Sequence, residues 1–179
     1  MDLSKSFDCL PHDLLLLKLE SYGLSKSALN LLKNYLSNRK QCVEIGQSVS
    51  EMLDIYKGVP HGTIFHPVLF NVFINDISLF VKNCDLYNYA DDNTLSISRT
   101  SLATVTKSLE VDSKSLISWF SSNKMQANPA KFQAIVIGNN THNQHIVFNL
   151  NGNNIKCDEE VKLLGVTIDF KLDSYIKHL

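Results

Sequence analysis

Two β-prone runs, Leu86-Tyr87-Asn88-Tyr89-Ala90 and Thr94-Leu95-Ser96-Ile97, flank Asp91-Asp92-Asn93. This arrangement restricts the middle of the chain to a tight hairpin with two carboxylates at its tip. Adjacent carboxylates repel each other, and a bound cation relieves the repulsion. Asp and Asn are also ordinary turn residues that hydrogen-bond their own backbone, and for an isolated Asp-Asp-Asn the plain turn is the commoner reading.

The 179 residues fit one domain, and a hydrophobic content of 44% supplies a sizeable core, which argues against disorder. A net charge of -1 gives no global attraction to nucleic acid, so any such contact is local or lies on other sequence. Cys9, Cys42, Cys84 and Cys157 are scattered, with no C-x-x-C pair and no His at zinc-finger spacing. Reduced intracellular thiols are therefore expected, rather than a zinc site or a disulfide framework. The N-terminus has no apolar signal core, and the apolar stretch 67–74 is too short to span a bilayer, so the chain reads as soluble, with no membrane association.

Asp13 is a candidate cap for a helix over 14–22, which Gly23 stops, and Ser25 opens a second helix over 26–36 with Leu29, Leu32 and Leu36 at helical spacing. Residues 41–45 and 52–56 read as a hairpin around Gly46-Gln47-Ser48. The loop Gly58-Val59-Pro60-His61-Gly62-Thr63 feeds a helix over 67–80, with Pro67 in its first turn. A long amphipathic helix over 101–121 carries Leu102, Val105, Leu109, Leu116, Ile117 and Phe120 on its buried stripe, with Trp119 also in the core. Residues 125–127 and 133–137 read as strands around the turn 128–131. Asn151-Gly152 signals a hairpin between 145–150 and 154–157. The polar segment 138–144 reads as a surface loop, and the final β-rich run, 161–168, is interrupted by Gly165.

This alternation points to an α+β fold of the split βαβ (ferredoxin-like) type, an antiparallel sheet with helices on one face. In such a sheet the end of the first strand lies beside the central hairpin, which would bring Asp2 to Asp91 and Asp92. Three converging carboxylates form a hard, oxygen-rich site suited to Mg²⁺ or Mn²⁺ held together with substrate phosphates. From spacing alone this is one option among several, an unrelated metal-binding α+β module included.

The order Asp2-Leu3-Ser4-Lys5-Ser6-Phe7-Asp8, then Gly58-Val59-Pro60-His61-Gly62-Thr63, then Tyr89-Ala90-Asp91-Asp92 resembles motifs A, B and C of reverse transcriptases, those of non-long-terminal-repeat retrotransposons above all. Asn128-Pro129-Ala130-Lys131 is similar to motif D, and Leu163-Leu164-Gly165 to motif E, the primer grip. The resemblance implies a polymerase palm over about 1–36 and 60–179, with a fingers-type hairpin over about 37–59. It implies two Mg²⁺ or Mn²⁺ ions on Asp2, Asp91 and Asp92, with Lys131 acting on the leaving pyrophosphate. Phe7 matches the steric gate against a ribose 2′-OH, a position where the same ring also suits a core. Pro60, His61, Gly62 and Tyr89 would border the nucleotide, and Leu163, Leu164 and Gly165 the primer end. An RNA template, a DNA primer and deoxynucleoside triphosphates are the implied partners.

Motif B usually reads G-V-P-Q-G-S-x-L-G-P, and here His61, Thr63, Phe65 and His66 stand at four of its positions. His66 replaces a glycine, so a positive φ there would be strained. The family's N-terminal fingers and C-terminal thumb have no counterpart in these residues, so weak nucleic-acid binding and weak or absent polymerase activity are expected. The competing expectation is a non-catalytic, retroelement-derived remnant that acts, if at all, as a binding module.

Overall fold

In the computed structural model, which describes residues 6–60, 62–138, 146–150 and 152–172, a short 3-10 turn over Ser6–Cys9 leads into two leucine-rich helices. Helix α1 (His12–Ser21) starts two residues before the expected position. Pro11 fixes the entry, the main-chain ladder opens with Leu15 N–H to Pro11 O, and no side chain caps it. Asp13 is thus a first-turn residue and not the cap; its carboxylate pairs instead with Lys124 at 3.1 Å. Leu24 N–H returns to Leu19 O and Gly23 N–H to Glu20 O, which closes the last turn. Helix α2 (Lys26–Leu36) is capped as expected, with Ser25 Oγ accepting from Ala28 N–H.

The expected hairpin that follows is two short ladders, β1 (Lys40–Gln41) with β4 (Leu53–Asp54) and β2 (Glu44–Ile45) with β3 (Ser48–Val49). Helix α3 (Phe65–Ile74) begins before Pro67 and is shorter than expected, because the chain tightens into a 3-10 turn over Asn75–Phe80. Strands β5 (Asp85–Tyr89) and β6 (Asp92–Ser96) form the acidic hairpin, and α4 (Leu102–Ser122) follows. A 3-10 turn, Pro129–Lys131, then precedes two further hairpins, β7 (Val147–Leu150) with β8 (Asn153–Lys156) and β9 (Glu160–Leu163) with β10 (Val166–Asp169).

The chain is therefore α+β with small antiparallel sheets, and among the described residues every ladder has two strands and none merges with another. Residues 133–137 are not the expected strand, nor is 125–127, where Ala127 alone makes a bridge. Side-chain packing holds the first of these segments in place of a ladder. Phe132 is buried beside Phe148 and Ile155, Ala134 and Val136 pack on the same cluster, and Ala134 O accepts from Asp158 N–H at 2.8 Å. The loop expected over 138–144 lies, apart from Gly138, outside the described residues.

Helix α4 is the wall between two apolar clusters. Leu116, Trp119 and Phe120 join Leu15, Phe70 and Phe73 in the larger one, while Leu109 and Ile117 pack on the cluster around Phe132 and Phe148. Leu102, expected on the buried stripe, is 43% exposed, because the helix start projects beyond both clusters. Lys18 locks α1 against this core. Its ammonium donates to Asp76 at 2.6 Å and to Phe73 O at 2.8 Å, and it lies 4.6 Å from the ring centres of both Phe73 and Trp119. Burial holds the Lys18 pKa below its usual value, with the Asp76 hydrogen bond working against that shift. No described helix is long and apolar enough to cross a membrane.

Candidate functional site

The acidic hairpin closes through a two-residue turn. Tyr89 pairs with Asp92, leaving Ala90 and Asp91 at the bend. Ala90 takes φ +51° there, and Asp92 is already the first residue of the returning strand. Asn93 explains why the bend holds this shape, since it is 3% exposed and its Nδ2 donates to Asp91 O at 2.8 Å. The asparagine thus locks the main chain from beneath, while Asp91 is half-buried and Asp92 and Tyr89 face solvent. Two carboxylates on neighbouring residues result, one on the bend and one on the strand.

A second wall forms where residues 7–10 meet the loop that opens α3. Gly58 N–H donates to Leu10 O at 2.7 Å, Val59 N–H to Phe7 O at 3.3 Å, and His12 Nε2–H to Gly58 O at 2.7 Å. Gly58 has φ +84°, and a Cβ there would fall 2.9 Å from Asp8 O, so only glycine permits this approach. The ring of Phe7 stacks on His66, with centroids 4.7 Å apart and planes at 18°, and touches Phe70 at 4.2 Å. His66 Nδ1–H also donates to Val59 O at 3.2 Å.

At His66 the condition for strain is not met. The residue sits in the first turn of α3 and is not among the residues with positive φ, so its side chain adds a stacking surface without backbone strain. Thr63 Oγ1 donates to Pro60 O and accepts from Tyr35 Oη, each at 3.0 Å, which ties the loop to α2. Gly62 takes φ +75°, with nothing among the described residues within 4 Å of where a Cβ would stand, and Pro60 is half-buried. Leu86 and Leu95 of the acidic hairpin pack on the core that Phe7 borders, so the hairpin and the aromatic wall share one support.

Asp2 and His61 lie outside the described residues. Lys131 ends the 3-10 turn Pro129–Lys131 and is exposed. Leu164 and Gly165 form the two-residue turn between β9 and β10, with Leu163 at the end of β9 and Lys162 N–H bonded to Gln133 Oε1 at 3.3 Å. Among the described residues no three His, Cys, Asp or Glu side chains converge in a way that would hold a metal ion. The chemistry of the described donors, two neighbouring carboxylates at a solvent-facing tip, nevertheless fits an oxygen-seeking divalent cation that keeps several waters.

One residue escaped the sequence reading. Asp112 of α4 is 1% exposed, and its Oδ2 accepts from the main-chain N–H groups of Lys82 (3.2 Å), Asn83 (2.7 Å) and Cys84 (2.8 Å). Its Oδ1 accepts from Asn83 Nδ2 at 2.9 Å. Burial works to raise the Asp112 pKa, but the donors from Asn83, Cys84 and Lys82 outweigh it and hold the carboxyl below its usual value. Burial, then the Asp112 charge, pushes the neighbouring Cys84 thiol up to about 12. The available signal was a charge at the second position of the helically spaced series Leu109, Asp112, Leu116, Trp119, whose other members are apolar.

Residues 1–168 match the family model described as "Reverse transcriptase (RNA-dependent DNA polymerase)". The chain is similar to "RNA-directed DNA polymerase from mobile element jockey" of Drosophila melanogaster, 27% identical over 186 residues that cover 100% of this chain and 20% of that protein. It is also similar to "Probable RNA-directed DNA polymerase from transposon BS" of the same species, at 26% over 180 residues, 96% of this chain and 20% of that protein. A third relative, "Probable RNA-directed DNA polymerase from transposon X-element", is 31% identical over 97 residues, 51% of this chain and 10% of its own length. The chain spans 20% of the length of the first two.

Proposed function

The chain belongs to the reverse transcriptase (RNA-dependent DNA polymerase) family, and on that premise we propose that it is the palm portion of a non-long-terminal-repeat retrotransposon polymerase. In this reading residues 1–36 and 60–179 are palm, and 37–59 are a fingers-type hairpin. A split βαβ (ferredoxin-like) arrangement would set the strand that ends at Asp2 beside β5 and β6. The observation that carries the reading is the tip of that hairpin, where a two-residue bend puts Asp91 and Asp92 side by side in the order Tyr-Ala-Asp-Asp.

Asp2, Asp91 and Asp92 would hold two Mg²⁺ or Mn²⁺ ions. When bound, such ions lower the pKa of an attacking primer hydroxyl and neutralise the leaving pyrophosphate. The protein's part is to fix these carboxylates: Asn93 holds the Asp91 main chain, and the apolar undersides of β5 and β6 seat the hairpin on the core. Phe7 would close one side of the nucleotide pocket as a steric gate. Its stack on His66 and its tilted contact with Phe70 support this role, because a gate must be rigid to discriminate by shape. Pro60, His61, Gly62 and Tyr89 would border the nucleotide. Lys131 would pair with or protonate the pyrophosphate, and Leu163, Leu164 and Gly165 would meet the primer end.

In the complete polymerase the substrates would be deoxynucleoside triphosphates, a DNA primer and an RNA template. For this chain alone we expect negligible primer extension. Mn²⁺ titration followed by thermal melting tests the site, since a ligand that binds only the folded state raises the midpoint. Wild type should gain stability with Mn²⁺, and Asp91→Asn should lose most of that gain. A wild-type midpoint that Mn²⁺ leaves unchanged would refute the metal site.

A further inference from the structure

We propose that Asp112, in the middle of α4, is a positioning residue that sets the Asp91–Asp92 hairpin by gripping its base. The inference rests on the reading of that hairpin as a metal site. Three consecutive main-chain N–H groups, those of Lys82, Asn83 and Cys84, converge on one Asp112 oxygen, and the next residue, Asp85, starts β5. Such a run of N–H groups is an anion-binding concavity, and here the anion is supplied by the chain itself. The other foot of the hairpin reaches the same place, because Arg99, just beyond β6, donates through Nη2 to Asn83 O at 3.4 Å.

The hairpin is a lever fixed at this point. Its five-residue strands extend about 16 Å at ~3.3 Å per residue. A tilt of about 5° at the base would then displace the tip by roughly 1.4 Å, which is large beside the few tenths of an ångström that metal–oxygen distances tolerate. A carboxylate satisfied by four donors fixes both the depth and the direction of the base. An apolar residue in its place would leave three part-buried N–H groups without this acceptor.

Mn²⁺ binding to the full chain, read by electron paramagnetic resonance at a temperature where circular dichroism reports each variant folded, tests the role. Asp91→Asn defines the site. Asp112→Ala should weaken Asp91-dependent Mn²⁺ binding by about 10–100-fold, the usual cost of removing a group that orients a ligand. Hydrogen exchange of residues 85–96 should speed up in the same variant. Asn83→Ala, which removes one bond of the four, should show a smaller loss of the same kind, and it carries the test if Asp112→Ala does not fold. A merely structural Asp112 would lower the melting midpoint and leave the Mn²⁺ affinity of the folded protein unchanged; that result overturns the positioning role alone. Absence of Asp91-dependent binding in wild type overturns the metal reading and the positioning role together.

Discussion

Ala90 bends the acidic hairpin at φ +51°, a conformation in which its Cβ crowds the backbone. Ala90→Gly removes that crowding at the cost of a more flexible unfolded chain, so we expect a net gain of about 0.5–1 kcal/mol in urea unfolding. Asp112 has a different signature. Its folded pKa lies below the usual 3.8, so its contribution is fully present above that value and is lost as pH falls through the lowered folded value. Acid titration of stability should show this loss in wild type, and Asp112→Asn should flatten that part of the curve. The two aspartates at the hairpin tip were legible because β-prone runs frame them. Asp112 was not, because its partners are main-chain N–H groups near residue 83, which leave no mark in a sequence. His66 was legible only as a condition, strain if its φ were positive, and the helix starts early enough to supply an ordinary one.

Element by element, helices with strong local signals formed close to where they were expected. Ser25 caps α2, and α4 runs within one residue of its expected limits at each end. Hairpins were legible where turn chemistry marked them, as at Gly152. They were not where it was absent: the β9–β10 turn puts Leu164 at φ +50° and Gly165 at +85°, a pair of left-handed residues that usually reads Asn-Gly. Leu164 is 53% exposed, so Leu164→Asn should stabilise the hairpin by about 0.5–1 kcal/mol, measurable as a shift in the urea midpoint. If Leu164 touches a primer end, the same change weakens that contact while the fold improves. Residues 133–137 misled because an apolar, β-prone run needs a partner strand to become a ladder, and these residues use side-chain packing and single hydrogen bonds instead.

Across the whole molecule, charge and topology set what the chain does alone. A net charge of -1 leaves little counterion release to drive association with a phosphate backbone. Fluorescence anisotropy with a labelled primer–template should therefore report a dissociation constant near the weak end of the non-specific range, about 10⁻⁴ M at physiological salt. Binding at or below about 10⁻⁷ M would mean that a local basic surface dominates the net charge. The α+β class was legible from the alternation of periods. The pairing of strands into separate ladders was not, since edge-to-edge docking depends on three-dimensional fit that no pattern along the chain encodes.

Those self-contained ladders give assembly an order in time. Each of the β2–β3, β5–β6, β7–β8 and β9–β10 pairs closes across a handful of residues, a search that takes microseconds and can finish before more distant parts of the chain arrive. The grip on residues 82–84, however, must wait for Asp112, nearly thirty positions later. During synthesis the acidic bend would take shape early and be aimed late, when α4 emerges and seats it.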